Sequence, residues 1–309
     1  MSLRKKNGLQ ELTNDEKKKK IEKAASADGE GWGLLVAPQY SKVNRPGTDL
    51  ENGYQSNLSG LNLGLDYRFS DSLVFGGVVG RTRDNATFLD NGGSLKTSNN
   101  ALSIYGTWLA SENLSVDGYL GYSKINLETL RYVTFGSLVS GTTTGSTSGS
   151  QVMAGLSTGY QVDVGRFSIS PSLDIDYIKS NFKGYSESGT TLLELRFNDR
   201  RTMSLTSSLG ARISTSYGYR WGMLIPTVRL AAVHEFQNNS QQLENELVIT
   251  PGTSMSVTTD VPDRNYLISG LNVTGALNGG KQLFFSFEKH SQDRLLSSWS
   301  ASMGGLVEF

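Results

Sequence analysis

From residue 31 onward, apolar and polar side chains alternate with a period of two, the pattern of a β-strand with two different faces. In ISPSLDIDY (169–177), apolar residues fall on one face and serines and aspartates on the other. Each such segment matches the ~9–11 residues that a tilted strand needs to cross a bilayer. In LVFGGVVGRTR (73–83) either register fits. The twelve predicted strands lie near 31–43, 56–69, 72–84, 99–110, 113–127, 150–164, 166–180, 201–216, 220–235, 264–277, 281–290 and 295–309.

The composition leaves two fold classes open. The hydrophobic fraction is 37%, and no apolar run approaches the ~20 residues of a membrane helix. A polar soluble β protein fits these values. A membrane β-barrel fits them too, because only every second residue of each strand faces lipid. The formal net charge of zero gives no sign of a nucleic-acid partner. The absence of cysteine excludes disulfides and thiolate metal sites.

The connections between predicted strands favour the barrel. Five alternate connections are tight: FSDS, ASEN, VGR, YGYR and NGGK. The others are mostly long, above all 131–150 and 237–263, and only the last, near HSQDR, is short. Outer-membrane barrels have an even number of strands, short periplasmic turns and long extracellular loops. We therefore expect an all-β membrane protein, a 12-stranded antiparallel transmembrane β-barrel with both termini on the short-turn side.

Aromatic residues cluster beside the short turns. Amphipathic rings favour the membrane interface, although strands are enriched in aromatics in general. We expect a periplasmic aromatic girdle that includes Tyr67, Trp108, Tyr160 and Trp221.

Residues 1–30 differ from the rest, because they are polar and rich in Lys and Glu and contain no signal-peptide h-region. Met1–Leu3 are candidate vector-derived residues. Residues 13–28 are predicted to form a helix with Thr13 or Asn14 as N-cap. Its ~24 Å length matches the ~25 Å apolar band of such barrels. The segment alone would also fit a solvated tail. The predicted domains are a linker with a helix (1–30) and a barrel (31–309).

The barrel lumen is the predicted place for this helix. Twelve strands enclose more space than side chains fill, and the helix directly precedes the first strand. Opposite charges attract strongly in a confined lumen, which favours a pore helix over a tail. The predicted lumen acids are Asp66, Asp117, Asp163, Asp174, Asp176, Glu288 and Glu308, against the bases Arg68, Arg212 and Arg229. The helix offers Lys17, Lys18, Lys19, Lys20 and Lys23.

Three stretches carry a family resemblance: GLNLGLDYRFSDSLVFGGVVG (60–80), ALSIYGTW (101–108) and the final strand. With the predicted helix and barrel, they make the chain resemble the translocator domain of monomeric type V autotransporters. The resemblance implies a monomeric, non-enzymatic barrel without cofactors. It would anchor in the outer membrane of a Gram-negative bacterium and mediate secretion of a passenger located N-terminal to residue 1. The implied partners are that passenger, the barrel assembly machinery, periplasmic chaperones, outer-membrane lipid and lipopolysaccharide.

The segment SMGGLVEF resembles the assembly signal of outer-membrane proteins, with a polar residue, a glycine, a hydrophobic residue and an aromatic at fixed spacing. Ser302, Gly304, Val307 and Phe309 fill those places. The alternation directs Phe309 outward at the periplasmic rim, where aromatic residues are stable.

Other functions stay open as alternatives. A channel or porin for small solutes would share the barrel, and a barrel phospholipase would need a Ser-His pair, for which His234 and His290 are the histidines available. Asn14 is a candidate for self-cleavage by asparagine cyclisation, although an N-cap role is the simpler explanation. No metal-ligand spacing or phosphate-binding loop is present.

Overall fold

The computed structural model describes residues 31–136, 138–237, 242–261 and 263–309. The predicted helix at 13–28, with Asn14 and the five lysines, lies outside the described residues. Within the described ranges, no helix is long and apolar enough to cross a membrane. Twelve long strands dominate: β1 (Gly31–Arg45), β2 (Tyr54–Ser70), β3 (Leu73–Phe88), β4 (Gly93–Leu109), β5 (Leu114–Phe135), β6 (Val139–Tyr160), β7 (Phe167–Phe182), β8 (Arg200–Thr215), β9 (Gly222–Glu235), β10 (Asn265–Leu277), β11 (Lys281–Ser291) and β12 (Ser297–Glu308).

These strands form a closed antiparallel ring. Each long strand pairs with its neighbours in the chain, and β12 pairs with β1, for example Tyr40 with Ala301. The pairing of β6 with β7 completes the circuit. A closed ring satisfies the backbone hydrogen bonds of every strand without water, which a bilayer core requires. The predicted twelve-stranded antiparallel barrel is confirmed.

The two faces of the barrel wall reverse the arrangement of a soluble protein. Large apolar side chains such as Leu120 (53% exposed) and Leu209 (68% exposed) point outward. The interior holds small and polar residues, among them Ser123 and Asp174, which are buried. An apolar exterior of this kind is stable in lipid and would be costly in water.

The register of β3, which the sequence left ambiguous, is fixed by crowding in the lumen. Val79 points outward and Gly76 inward. A Cβ atom on Gly76 would lie 2.8 Å from Cζ of Tyr105, so only glycine fits there. The opposite register would also turn Asp84 from the lumen to the lipid, where a carboxylate is expensive.

Two stretches that the sequence placed between strands belong largely to strands in the structure. β3 and β4 meet at a tight turn in which Asp90 (φ 53°) and Asn91 (φ 58°) adopt the left-handed conformation that these residue types tolerate. β5 and β6 continue to Phe135 and from Val139, so the predicted loop at 131–150 is wrong. Its Thr, Ser and Gly residues look like loop residues by composition, but each strand supplies the other with a full ladder of partners. Among the described residues, the longer connections that remain are 46–53, 183–199, 236–237, 242–261 and 263–264.

The connections at 71–72, 110–113, 161–166, 216–221 and 278–280 share one end of the barrel, here called the short-turn end. The opposite, long-loop end carries a small surface sheet formed by Tyr185–Ser186, Leu195–Phe197, Gln242–Leu247 and Ser254–Thr258.

Ion pairs fasten the loops that carry this surface sheet to the barrel. The guanidinium of Arg131 donates to both carboxylate oxygens of Glu187, at 3.0 and 2.5 Å. Arg45 likewise pairs with Asp260 at 2.7 Å. The Thr191 backbone N–H that donates to Glu194 lowers the pKa of that carboxyl. The long loops are therefore ordered against the barrel by charge-assisted hydrogen bonds.

Candidate functional site: the barrel lumen and its rims

In one group of charged side chains in the lumen, a single arginine is shared by two carboxylates. Arg229 on β9 contacts Asp174 on β7 at 3.0 Å and Glu288 on β11 at 3.1 Å. Asp174 also accepts hydrogen bonds from the hydroxyls of Ser208 (2.8 Å) and Ser157. Two of the predicted lumen acids thus meet at one arginine, and the three residues come from every second strand of this part of the wall, β7, β9 and β11.

A second group of lumen carboxylates has hydroxyl partners instead of cations. Tyr105 donates to Asp66 at 2.6 Å, Thr107 donates to Asp117 at 2.7 Å, and Tyr119 donates to Asp176 at 2.8 Å. In the part of the chain that the structure describes, none of these three carboxylates forms an ion pair. The lumen wall therefore presents negative charge that its own described arginines and lysines leave uncompensated.

Sequence reasoning missed two further acids of the lumen wall. Asp84 accepts a hydrogen bond from Ser56, and it was missed because the register of β3 was ambiguous. Glu235 accepts from Ser204 and from the Leu205 N–H, the latter at 2.9 Å. The alternation of β9, which places Arg229 inward, would have identified Glu235 six residues further on.

The remaining predicted charges lie nearer the ends. Arg68 pairs with Glu308 at 3.2 Å beside the junction of β1 and β12. Asp163 is exposed next to a short turn and accepts a hydrogen bond from Ser168 at 2.5 Å. Arg212 lies directly opposite Arg229 in the β8–β9 ladder, and among the described residues it forms no ion pair.

The predicted girdle residues all lie on the outer face near the short-turn end. The ring of Tyr67 packs against Trp32 and Phe69, with centroid distances of 5.0 and 4.9 Å. Trp221 stacks on Tyr219 at 5.2 Å. Trp108 and Tyr160 are 53% and 50% exposed. Such a band suits the interfacial zone of a bilayer.

The predicted assembly-signal residues belong to β12 and its end. A Cβ on Gly304 would lie 2.5 Å from Cζ of Phe284 and 2.6 Å from the Val36 carbonyl oxygen, so packing alone demands glycine. Ser302 faces the lumen, whereas Val307 (40% exposed) and Phe309 (69% exposed) point outward. The Phe309 N–H donates to the Trp32 carbonyl at 2.9 Å, which extends the closing ladder to the final residue.

The two histidines have different surroundings. His290 stacks on Tyr266 with a centroid distance of 5.6 Å. His234 Nδ1 lies 2.8 Å from Asn265 Oδ1, and Ser207 is its cross-strand neighbour on β8. No hydrogen bond joins Ser207 to His234 in the described structure. Since all three residues of that group lie in paired strands, their backbone N–H groups serve the ladder and leave no ready donors for an oxyanion.

Comparison with known proteins decides the family. A family model described as the autotransporter beta-domain matches residues 34–288. The chain belongs to the autotransporter beta-domain family. The translocator domain of the autotransporter NalP from Neisseria meningitidis has the same fold, with a TM-score of 0.71 at 14% identity over 90% of this chain and 88% of that one.

Two curated relatives match this chain over part of their own length. Lipase 1 of Photorhabdus luminescens is 27% identical over 264 residues, which are 83% of this chain and 39% of that protein. Outer membrane protein A of Rickettsia rickettsii is 26% identical over 232 residues, 70% of this chain and 10% of that protein. The chain thus spans less than two fifths of either relative. As an autotransporter β-domain, it anchors in the outer membrane and mediates secretion of a passenger.

Proposed function

We propose that this translocator domain holds its own N-terminal segment, residues 13–28, as a helix inside the lumen after the passenger has crossed. The observation that carries the proposal is the set of three lumen carboxylates, Asp66, Asp117 and Asp176, that receive only hydroxyl donors from the described residues. The segment next to β1 contributes five lysines, at positions 17, 18, 19, 20 and 23.

Electrostatics supports this arrangement. A lysine and a carboxylate about 4 Å apart attract by about 4 kcal/mol at the effective dielectric typical of a protein surface, and by about 1 kcal/mol in bulk water. The three carboxylates lie on β2, β5 and β7, so they act from different sides of the wall. A helix along the axis that presents these lysines to the wall would satisfy the three carboxylates together, whereas a tail outside the barrel would leave them to water.

Single-channel conductance tests the proposal. The full chain should show small or unstable conductance in planar bilayers, and removal of residues 1–28 should raise it. Replacing the five lysines by glutamine should give an intermediate, noisier current, because the helix keeps its length but loses its attraction to the wall. Equal, large conductance in the full and shortened chains would overturn the plug and favour the alternative, a channel for small solutes.

We assign residues 1–30 to a linker and 31–309 to the barrel, with the short turns in the periplasm. The barrel acts as a monomer and is inserted by the barrel assembly machinery after delivery by periplasmic chaperones. It carries its passenger N-terminally, and lipid and lipopolysaccharide surround it.

We also propose that the barrel itself is not an enzyme. The geometry at His234 supports this, because Ser207 makes no hydrogen bond to the ring and the neighbouring N–H groups are used in the sheet. Phospholipid hydrolysis by the purified protein, with and without calcium, checks it. Activity that disappears in Ser207→Ala or His234→Ala would establish a barrel phospholipase instead. Retention of an intact N-terminus over time would exclude self-cleavage at Asn14.

A further inference from the structure

We propose that the outer face of β3–β5, at the long-loop edge of its apolar band, binds the phosphorylated, acylated glycolipid of the outer leaflet, the lipid A part of lipopolysaccharide. The site combines a cluster of outward cations, here called the basic patch, with an apolar groove next to it. The basic patch consists of Arg81, Arg83, Lys96 and Lys124, all of which are exposed. Its assignment to the outer leaflet rests on the proposed orientation, with the short turns in the periplasm.

Strand register places these cations side by side. Arg81 on β3 lies opposite Asn100 on β4, which lies opposite Lys124 on β5. Neighbouring strands are about 4.8 Å apart, so the Cα atoms of Arg81 and Lys124 are separated by about 10 Å. Arg83 is one outward position further along β3, about 7 Å from Arg81. This spacing lets two or more cations contact one diphosphorylated headgroup.

The charges of the basic patch are not used elsewhere in the protein. Among the described residues, none of the four cations forms an ion pair or a hydrogen bond through its side chain. The single acid on the described outward face of β1–β5 is Glu128, opposite Lys96. The other outward positions in these rows carry neutral donors and acceptors, such as Asn85 and Asn100. The surface is thus strongly positive and rich in groups that hydrogen-bond to phosphate and sugar.

An apolar groove adjoins the basic patch on its membrane side. Leu61, Leu63 and Val79 line it together with the two arginines, and its volume is about 690 Å³. Below it the outward residues are apolar, including Leu102 (60% exposed) and Leu120 (53% exposed). Arginine and lysine bury their aliphatic stems in such a rim and keep the charge at the interface. An acyl chain in the groove and phosphates on the cations would therefore both be satisfied by one amphipathic molecule.

Two double variants, a test and a matched control, probe this site in the full chain refolded in detergent. Arg81→Gln/Arg83→Gln removes two cations of the patch, and Arg220→Gln/Lys281→Gln removes two exposed cations at the short-turn end. Affinity for diphosphorylated lipid A, measured by thermophoresis, should fall at least tenfold in the first variant and less than twofold in the second. Arg81→Lys/Arg83→Lys, which keeps the charges, should retain most of the affinity.

Three outcomes would overturn the proposal. They are unchanged binding in Arg81→Gln/Arg83→Gln, an equal loss in the short-turn variant, and equally tight binding of phosphatidylglycerol or of dephosphorylated lipid A. The shift in gel mobility on heating shows that each variant is folded. Because removal of residues 1–28 leaves the outer face intact, lipid A binding should be the same in the shortened chain. A failure here is thus separate from a failure of the plug.

Discussion

The pairing of Arg229 with Asp174 and Glu288 makes a quantitative prediction about the stability of the barrel. The side chains of Arg229 and Asp174 are 21% and 10% exposed, so Arg229→Met would leave a nearly buried carboxylate without its cation. Removing one partner of a buried pair costs about 3–5 kcal/mol. Glu288 is 37% exposed, and an exposed pair contributes only about 0–1 kcal/mol.

Two serine hydroxyls continue to donate to Asp174 after the substitution, which reduces the cost. We therefore expect Arg229→Met to lower the free energy of unfolding by about 2–4 kcal/mol. Reversible urea unfolding in lipid vesicles, followed by the fluorescence of the four tryptophans, measures this value. Arg229→Met/Asp174→Asn should recover part of the loss, because it removes the unpaired charge.

Arg212→Met is the matched control, since Arg212 lies opposite Arg229 and forms no ion pair among the described residues. It should change the free energy of unfolding by less than about 1 kcal/mol, because Arg212 interacts with Asp174 only through charge at longer range than an ion pair. A change within about 0.5 kcal/mol of wild type for Arg229→Met, or equal losses in both variants, would refute the reasoning.

Three further predictions address the end of β12, the loops and the topology. Deleting Phe309, whose N–H and C=O both pair with Trp32, should reduce membrane assembly in cells more than refolding in detergent; equal defects would reduce Phe309 to a packing residue. The hydrogen bonds from Arg294 lower the pKa of Asp263, so this contact should hold at neutral pH and be lost only as the pH falls through that lowered pKa. The protection factor of the Arg294 amide, which corrects hydrogen exchange for its intrinsic pH dependence, should fall with this loss, and in Asp263→Asn the protection factor should not vary with pH. Because the chain has no cysteine, a single cysteine at Thr253 should react with an impermeant maleimide on whole cells, and one at Asp71 should not; the reverse pattern would invert the orientation.

The sequence predicted the number and position of the strands because the period-two pattern reports which face of a strand meets lipid. It failed at the long-loop ends of β5 and β6, above all in β6, where residues 140–150 are all Ser, Thr or Gly. There the Thr and Ser residues carry no contrast between faces, and only the pairing of the two strands reveals them as strands.

The sequence predicted which charged side chains of the candidate site face the lumen, but it did not predict which of them contact one another. The alternation alone directed Asp174, Arg229 and Glu288 inward. Their meeting depends on the stagger between β7, β9 and β11, which is a property of the closed ring and is absent from any single strand. For the same reason, the sequence did not predict that Tyr105 would donate to Asp66 or that Tyr119 would donate to Asp176.

The junction of β1 and β12 has a consequence for the order of folding. The hydrogen bond from Ser41 Oγ to the Trp299 carbonyl joins residues 258 positions apart in the chain, whereas the other junctions join strands that are neighbours in sequence. Contacts of such long separation form late, because the entropy of loop closure must be lost before they contribute. The first and last strands therefore meet after the hairpins have formed. Until they do, the unfinished sheet has two unpaired edges, on β1 and β12. The lumen is then open along this side instead of being enclosed by a complete wall.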